Sequence, residues 1–187
     1  MDRRHLLKGI GAVALYSSFP AVLSEFLSSC NSPVKKQRAG FFSDEEFSVV
    51  EHITDILLPQ TSTPGALEVQ VPYFIELVVK NCMSKDDQQL IKDGLLQMNK
   101  DATRKFLSLS PGERSGVIKK IDEAAFKDSN SHVWFRIIKK LALIGYFTSK
   151  EGMTKALNYV KVPGDYKECI PYKKGDKALA KTFLMYW

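Results

Sequence analysis

From Phe41 onward the chain repeats one pattern: apolar residues return every three or four positions, and each run is closed by a cluster of turn formers. That spacing lays the apolar side chains along one face of a helix. Phe47, Val50, Ile53 and Leu57 form the first run, and Ser43-Asp44-Glu45-Glu46 opens it as a capping box. In such a box the serine hydroxyl accepts from the amide three residues on, while the glutamate carboxylate returns to the serine amide. Phe42 and Phe47 flank the cap as a hydrophobic staple, and Pro59 closes the helix. Thr61-Ser62-Thr63-Pro64-Gly65-Ala66 then predicts an ordered loop.

Pro72 suits the first turn of a second helix with Tyr73, Phe74, Leu77 and Val78 on its apolar face, ending near Asn81 and Cys82. Ser84 restarts the pattern, and Ile91, Leu95, Met98, Ala102 and Phe106 predict a long third helix. Ser110-Pro111-Gly112-Glu113 opens a fourth, with Val117, Ile118, Ile121 and Ala125 facing inward. The most apolar stretch, His132 to Phe147, is expected to be the central helix, and Thr148 and Ser149 cap a short one running to about Asn158. Residues 160–176, with two prolines and two glycines, are expected to be irregular. No convincing strand-like alternation occurs, so the fold class predicted is all-α. It is a single domain of about six helices over residues 41–187 with an irregular C-terminal segment.

The first forty residues follow a different logic. Arg3-Arg4 precede Leu6-Leu7 and Lys8, an arrangement that resembles the twin-arginine export signal. The apolar run from Ile10 to Leu23 is broken by Ser17, Ser18 and Pro20 and is too short to cross about 30 Å of hydrocarbon. Leu27-Ser28-Ser29-Cys30 resembles a lipobox, which would make Cys30 an acylated mature N-terminus; the alternative is an ordinary cysteine at the end of the signal. Each buried methylene contributes about 0.8 kcal/mol, so two or three acyl chains anchor firmly where one does not. Residues 1–30 are therefore expected to be a signal and lipidation segment and 31–40 a flexible tether, with the product periplasmic and membrane-associated.

Cysteine number adds one constraint. Of three cysteines, lipidation removes Cys30 and leaves Cys82 and Cys169, an even remainder that points to a disulfide in an oxidising compartment. Two buried free thiols are the alternative.

Charge and candidate chemistry narrow the function. The net charge of +6 is spread between acidic residues instead of forming a stripe, and no nucleic-acid-binding motif is present. Past the leader only His52 and His132 occur, in different predicted helices, and no serine sits in a Gly-x-Ser-x-Gly turn. Gly9, Gly11 and Ala14 imitate a dinucleotide fingerprint but follow a basic leader and not a strand. No catalytic, cofactor-binding or metal-binding residue is assigned. Aromatic residues concentrate in the C-terminal third, so Trp134, Tyr146, Phe147, Tyr166, Tyr186 and Trp187 are candidate partner contacts, with core packing as the competing role for Trp134 and Phe135.

The order of segments resembles the small third subunit of gluconate 2-dehydrogenase and of related membrane-bound flavin dehydrogenases. The resemblance rests on Phe41-Phe42-Ser43-Asp44-Glu45-Glu46, Asp55-Ile56-Leu57-Leu58-Pro59, Thr63-Pro64-Gly65-Ala66 and Val71-Pro72-Tyr73-Phe74-Ile75. It continues through Gly145-Tyr146-Phe147-Thr148-Ser149 and Val162-Pro163-Gly164-Asp165-Tyr166 to Cys169 and Pro171. It implies a helical accessory subunit with no cofactor of its own, accompanying a large FAD-dependent dehydrogenase, with a cytochrome c subunit in some complexes. It also implies that the twin-arginine translocase carries the folded pair outward. A stand-alone membrane-anchored lipoprotein acting as scaffold or ligand binder is the alternative reading.

Overall fold

The computed structural model describes residues 38–101, 105–160, 169 and 171–179. The leader positions Arg3, Arg4, Leu6, Leu7 and Cys30, and the aromatic residues Tyr166, Tyr186 and Trp187, lie outside the described residues.

The described residues form five α-helices: α1 (Asp44–Leu57), α2 (Val71–Cys82), α3 (Lys85–Asp101), α4 (Pro111–Lys127) and α5 (Val133–Thr148). A 3₁₀ turn at Phe106–Ser108 precedes α4, and a π turn at Gly152–Ala156 follows α5. Among the described residues there is no strand. An isolated parallel bridge joins Asn158 to Leu179.

The ends of the helices follow from local chemistry. Ser43 and Glu46 complete the capping box of α1 at 3.2 and 2.8 Å, and Ser110 and Glu113 do the same for α4 at 3.4 and 2.8 Å. Each box satisfies amides that a helix start leaves unpaired and contributes about 1 kcal/mol. Ser84 Oγ accepts from the Asp87 amide at 3.1 Å at the start of α3. The last carbonyls of α2 are served from its neighbour: the buried Gln88 amide on α3 donates to the carbonyls of Val79 and Lys80 at 2.9 and 3.1 Å.

Two predicted boundaries move. The third helix was expected to run to Phe106, but α3 ends at Asp101 and Phe106 sits in the separate 3₁₀ turn, fully buried. Lys105, with ψ 134°, is extended and cannot continue a helix into Phe106. The short helix expected after Ser149 is the π turn, whose entry is capped by Ser149 Oγ accepting from the Gly152 amide at 3.0 Å.

α5 is central, packing against all four other helices. Its inward face is Trp134, Phe135, Ile138, Leu141, Ala142, Gly145 and Tyr146, a spacing that keeps one broad apolar stripe toward the core. Two glycines set the closest approaches. A Cβ on Gly94 of α3 would lie 2.1 Å from Cγ of Trp134, and one on Gly145 would lie 2.6 Å from Cδ1 of Phe74 on α2. Around α5 the core gathers Phe42, Phe47, Val50, Ile53, Ile75, Ile91, Leu95 and Ile118.

Candidate functional site

The chain enters the domain through a strap, residues 38–42, held by one side chain of α2. Glu76 is fully buried on the inward face between Ile75 and Val79. Its carboxylate accepts from the main-chain amides of Ala39, Phe41 and Phe42 at 2.8, 3.0 and 3.0 Å, and from the Arg38 guanidinium at 3.1 Å. Arg38 also pairs with Asp44 and stacks on the Phe47 ring, 4.2 Å from its centroid. Lys80, one turn along from Glu76, donates to the Ala39 carbonyl. A buried carboxylate is costly unless its lone pairs are filled, and here four donors fill them. Burial alone would raise the Glu76 pKa; the bonds from Arg38, Phe42 and Phe41 outweigh it and hold it below its ordinary value. Residues 38–40, expected to belong to the tether, are thus tied into the folded unit that begins at Arg38.

A second lock joins two sequence segments far apart in the chain. The Tyr146 hydroxyl donates to the Pro64 carbonyl at 2.8 Å, tying the Thr63-Pro64-Gly65-Ala66 loop to the end of α5. The Ala66 amide donates to the Leu58 carbonyl at 2.9 Å and the Val71 amide to the Ala66 carbonyl at 3.0 Å, folding the loop back on the helices it connects. Gly65 has no room for a side chain: a Cβ would lie 2.8 Å from the Gln60 amide nitrogen.

His52 faces α4. The Arg114 guanidinium lies 3.0 Å from its Nε2, and Arg114 also donates to the carbonyls of Leu107 and Leu109, both at 2.9 Å. Burial and then the Arg114 charge lower the His52 pKa, outweighing the opposite pull of Asp55 and Glu51, so the ring is favoured neutral. This constellation fastens the 3₁₀ turn to α1 and presents no nucleophile. Among the described residues no group of three His, Cys, Asp or Glu is placed to hold a metal ion, and no helix is long and apolar enough to cross a membrane.

The candidate contact residues divide. Trp134 and Tyr146 are core, 6% and 5% exposed, because α5 turns them toward α3 and the 59–70 loop. Phe147 is half-buried, edge-on to Tyr146 at 5.1 Å. Cys82 and Cys169 are both exposed free thiols, so the bridge expected between them is not formed in this structure, and neither is one of the buried thiols of the alternative. The apolar side chains that do reach solvent are others: Phe126 on α4 is 91% exposed, Leu77 on α2 53% and Leu96 on α3 50%. Phe126 follows the inward Ala125 by one position, which rotates it about 100° off the core face.

An open groove of about 520 Å³ runs between α3 and α4 to the start of α5. Met98, Leu109, Val117, Ile121 and Trp134 give it apolar lining, and Glu113, Lys120 and His132 add polar groups. His132 caps α5 in the left-handed region at φ 48° and ψ 41°, which costs a non-glycine residue roughly 1 kcal/mol.

Helices locked by caps, a strap and a tied loop, with an exposed phenylalanine and an open groove, define a helical scaffold that presents surfaces. The chain belongs to the gluconate 2-dehydrogenase subunit 3 family, whose model matches residues 44–164, more than half of its length. As that name states, the family provides a subunit of a dehydrogenase complex. No curated protein and no solved structure matches the chain.

Proposed function

We propose that this chain is a non-catalytic accessory and export-escort subunit of a periplasmic, membrane-associated, FAD-dependent dehydrogenase of the gluconate-, sugar- or alcohol-oxidising type. The family match across α1 to α5 carries the reading. The flavin belongs to the large partner, which would load it in the cytoplasm and cross the membrane folded with this chain. The twin-arginine-like leader supplies the address for both, and Cys30 a lipid anchor after export. A cytochrome c subunit would complete the route for electrons. Exposed Phe126, Leu77 and Leu96 are the contacts offered to the partner, since aromatic anchors carry a large share of interface energy.

The test is co-purification of a tagged full-length chain, read by flavin absorbance and subunit ratio, together with export of the dehydrogenase in cells lacking this chain. A flavoprotein in fixed ratio and retention of the dehydrogenase in the cytoplasm of the deletion strain are expected. Recovery of no flavoprotein, with normal export in the deletion strain, overturns the proposal.

A further inference from the structure

Over a few residues the basic and acidic side chains alternate, but along the whole chain they do not balance evenly. Of the 27 basic and 21 acidic residues, 17 of each precede position 137, leaving ten lysines against four acids in residues 137–187. The whole net charge of +6 therefore belongs to the C-terminal segment, and no arginine follows Arg136. A field made by lysines alone favours an anionic surface.

Within that segment residues 171–178 are all exposed and contain a hydrogen-bonded turn. The Asp176 amide donates to the Lys173 carbonyl at 3.0 Å, and Gly175, at φ 100°, supplies a positive φ that glycine takes without steric cost. The Asp176 carboxylate accepts from the Lys173 amide at 2.7 Å, so the one acid of the turn is folded back onto the turn's own backbone. Lys173, Lys174 and Lys177 have no ion-pair partner among the described residues. The turn is also tied to the helical body. The Ala178 carbonyl accepts from the Asn158 amide at 2.8 Å, beside the bridge from Asn158 to Leu179, and Asn158 follows the π turn that packs on α5.

The side chains of the turn then select what it rests on. Tyr172, 74% exposed, adjoins the lysines, and Tyr159 and Val160 are exposed just past the bridge. A phenol, with an apolar body and a polar tip, suits the headgroup level of a bilayer. Ammonium groups on flexible stems are hydrated point charges that can follow mobile headgroup phosphates. A fixed carboxylate on a protein is matched best by the planar arginine fork, which this segment lacks. We propose that the turn at 172–177 is a membrane contact, with Lys173, Lys174 and Lys177 on the phosphates of anionic lipid and Tyr172 at the interface. It is separate from acylation of Cys30: an acyl chain there tethers the protein, whereas this contact orients the folded domain. The proposal goes beyond the accessory-subunit reading and does not rest on it.

The test uses the full-length chain with vesicles of phosphatidylcholine, with and without phosphatidylglycerol. Its lysines are acetylated in the presence of each, and the modified positions are read by mass spectrometry. Lys173, Lys174 and Lys177 are expected to be protected severalfold by the anionic vesicles and not by the neutral ones, while exposed Lys119 and Lys127 on α4 label equally in both. Salt raised from about 0.05 to about 0.5 M should erase the protection, since it shortens the reach of the charges. Replacing all three turn lysines by glutamine should cut the preference for anionic over neutral vesicles in co-sedimentation roughly tenfold or more, because each lysine near such a surface is worth about fivefold. The same loss of charge on α4, Lys119→Gln with Lys120→Gln and Lys127→Gln, should leave the preference unchanged. Circular dichroism confirms that each variant is folded. Equal labelling of the turn with both vesicles, an undiminished preference in the turn variant, or an equal loss in the α4 variant overturns the proposal. So does loss of flavoprotein association in the turn variant without lipid protection in the wild type, which would make the turn a protein contact.

Discussion

The carboxylate of Glu76 accepts the main-chain amide of Phe42 at 3.0 Å, across 34 positions of sequence, with neither group in contact with water. Replacing the acid by alanine leaves Arg38 and three amides without their acceptor. Glu76→Ala should therefore destabilise the domain by about 2–4 kcal/mol, the range for stripping one partner from a buried charged network whose other member is partly solvated. Because the strap can peel away by itself, the Arg38–Ala39 bond should become a fast trypsin site in the variant and a slow one in the wild type. Equal cleavage rates would show that the strap is not held by this carboxylate.

Acid should undo the same contact. Because the Glu76 pKa is depressed below its ordinary 4.5, the unfolded chain binds the proton first as pH falls. Stability from this group is complete above the unfolded value and disappears as pH drops through the folded one. Urea midpoints measured between about pH 3 and 6 should rise with pH in the wild type and rise less steeply in Glu76→Gln. Parallel curves would remove Glu76 from the acid response.

Tyr146→Phe deletes the hydroxyl that holds the Pro64 carbonyl and should cost about 1 kcal/mol. For a domain of this size that is a fall of roughly 2–4 °C in Tm. Hydrogen exchange should locate the effect in the Ala66 and Val71 amides, which the folded loop protects.

Gly94 and Gly116, both inside helices, should respond to alanine with opposite signs. At Gly94 the new methyl collides with Trp134 and drives α3 from α5, costing roughly 1–3 kcal/mol or more. At Gly116 it meets open space, so the substitution should stabilise by about 0.5–1 kcal/mol. Thermal melts of the two variants decide the matter, and a shift of the same sign in both would contradict this packing.

On the proposed function, Phe126→Asp should leave the melting temperature of the isolated chain within a degree or two, since the ring touches little of its own domain. Recovery of flavoprotein with the tagged chain should drop at least tenfold, as for a central aromatic anchor. Unchanged recovery would place the interface elsewhere.

The helix starts were legible because their determinants are local: Ser43 with Glu46 and Ser110 with Glu113 lie three residues apart. The apolar face of α5 was legible for the same reason. Glu76 was not. Read along the sequence it is an acid among apolar residues, and its partners are amides more than thirty positions upstream that carry no side-chain signature. The position of Tyr146 also escaped, and Trp134 stayed open between core and contact, since an aromatic residue suits both until the neighbouring carbonyl or glycine is placed. The groove became visible only when Met98, Val117 and Trp134, from three helices, met in space.

The strap has a mechanical consequence. Tension applied at Arg38 meets the strap before it can unravel α1 one bond at a time. The Glu76 carboxylate in the middle of α2 must release several bonds together before the chain can yield. A pull on the entry strap is thereby shared among parallel bonds that must fail as a group, on a helix whose inner face is in the core.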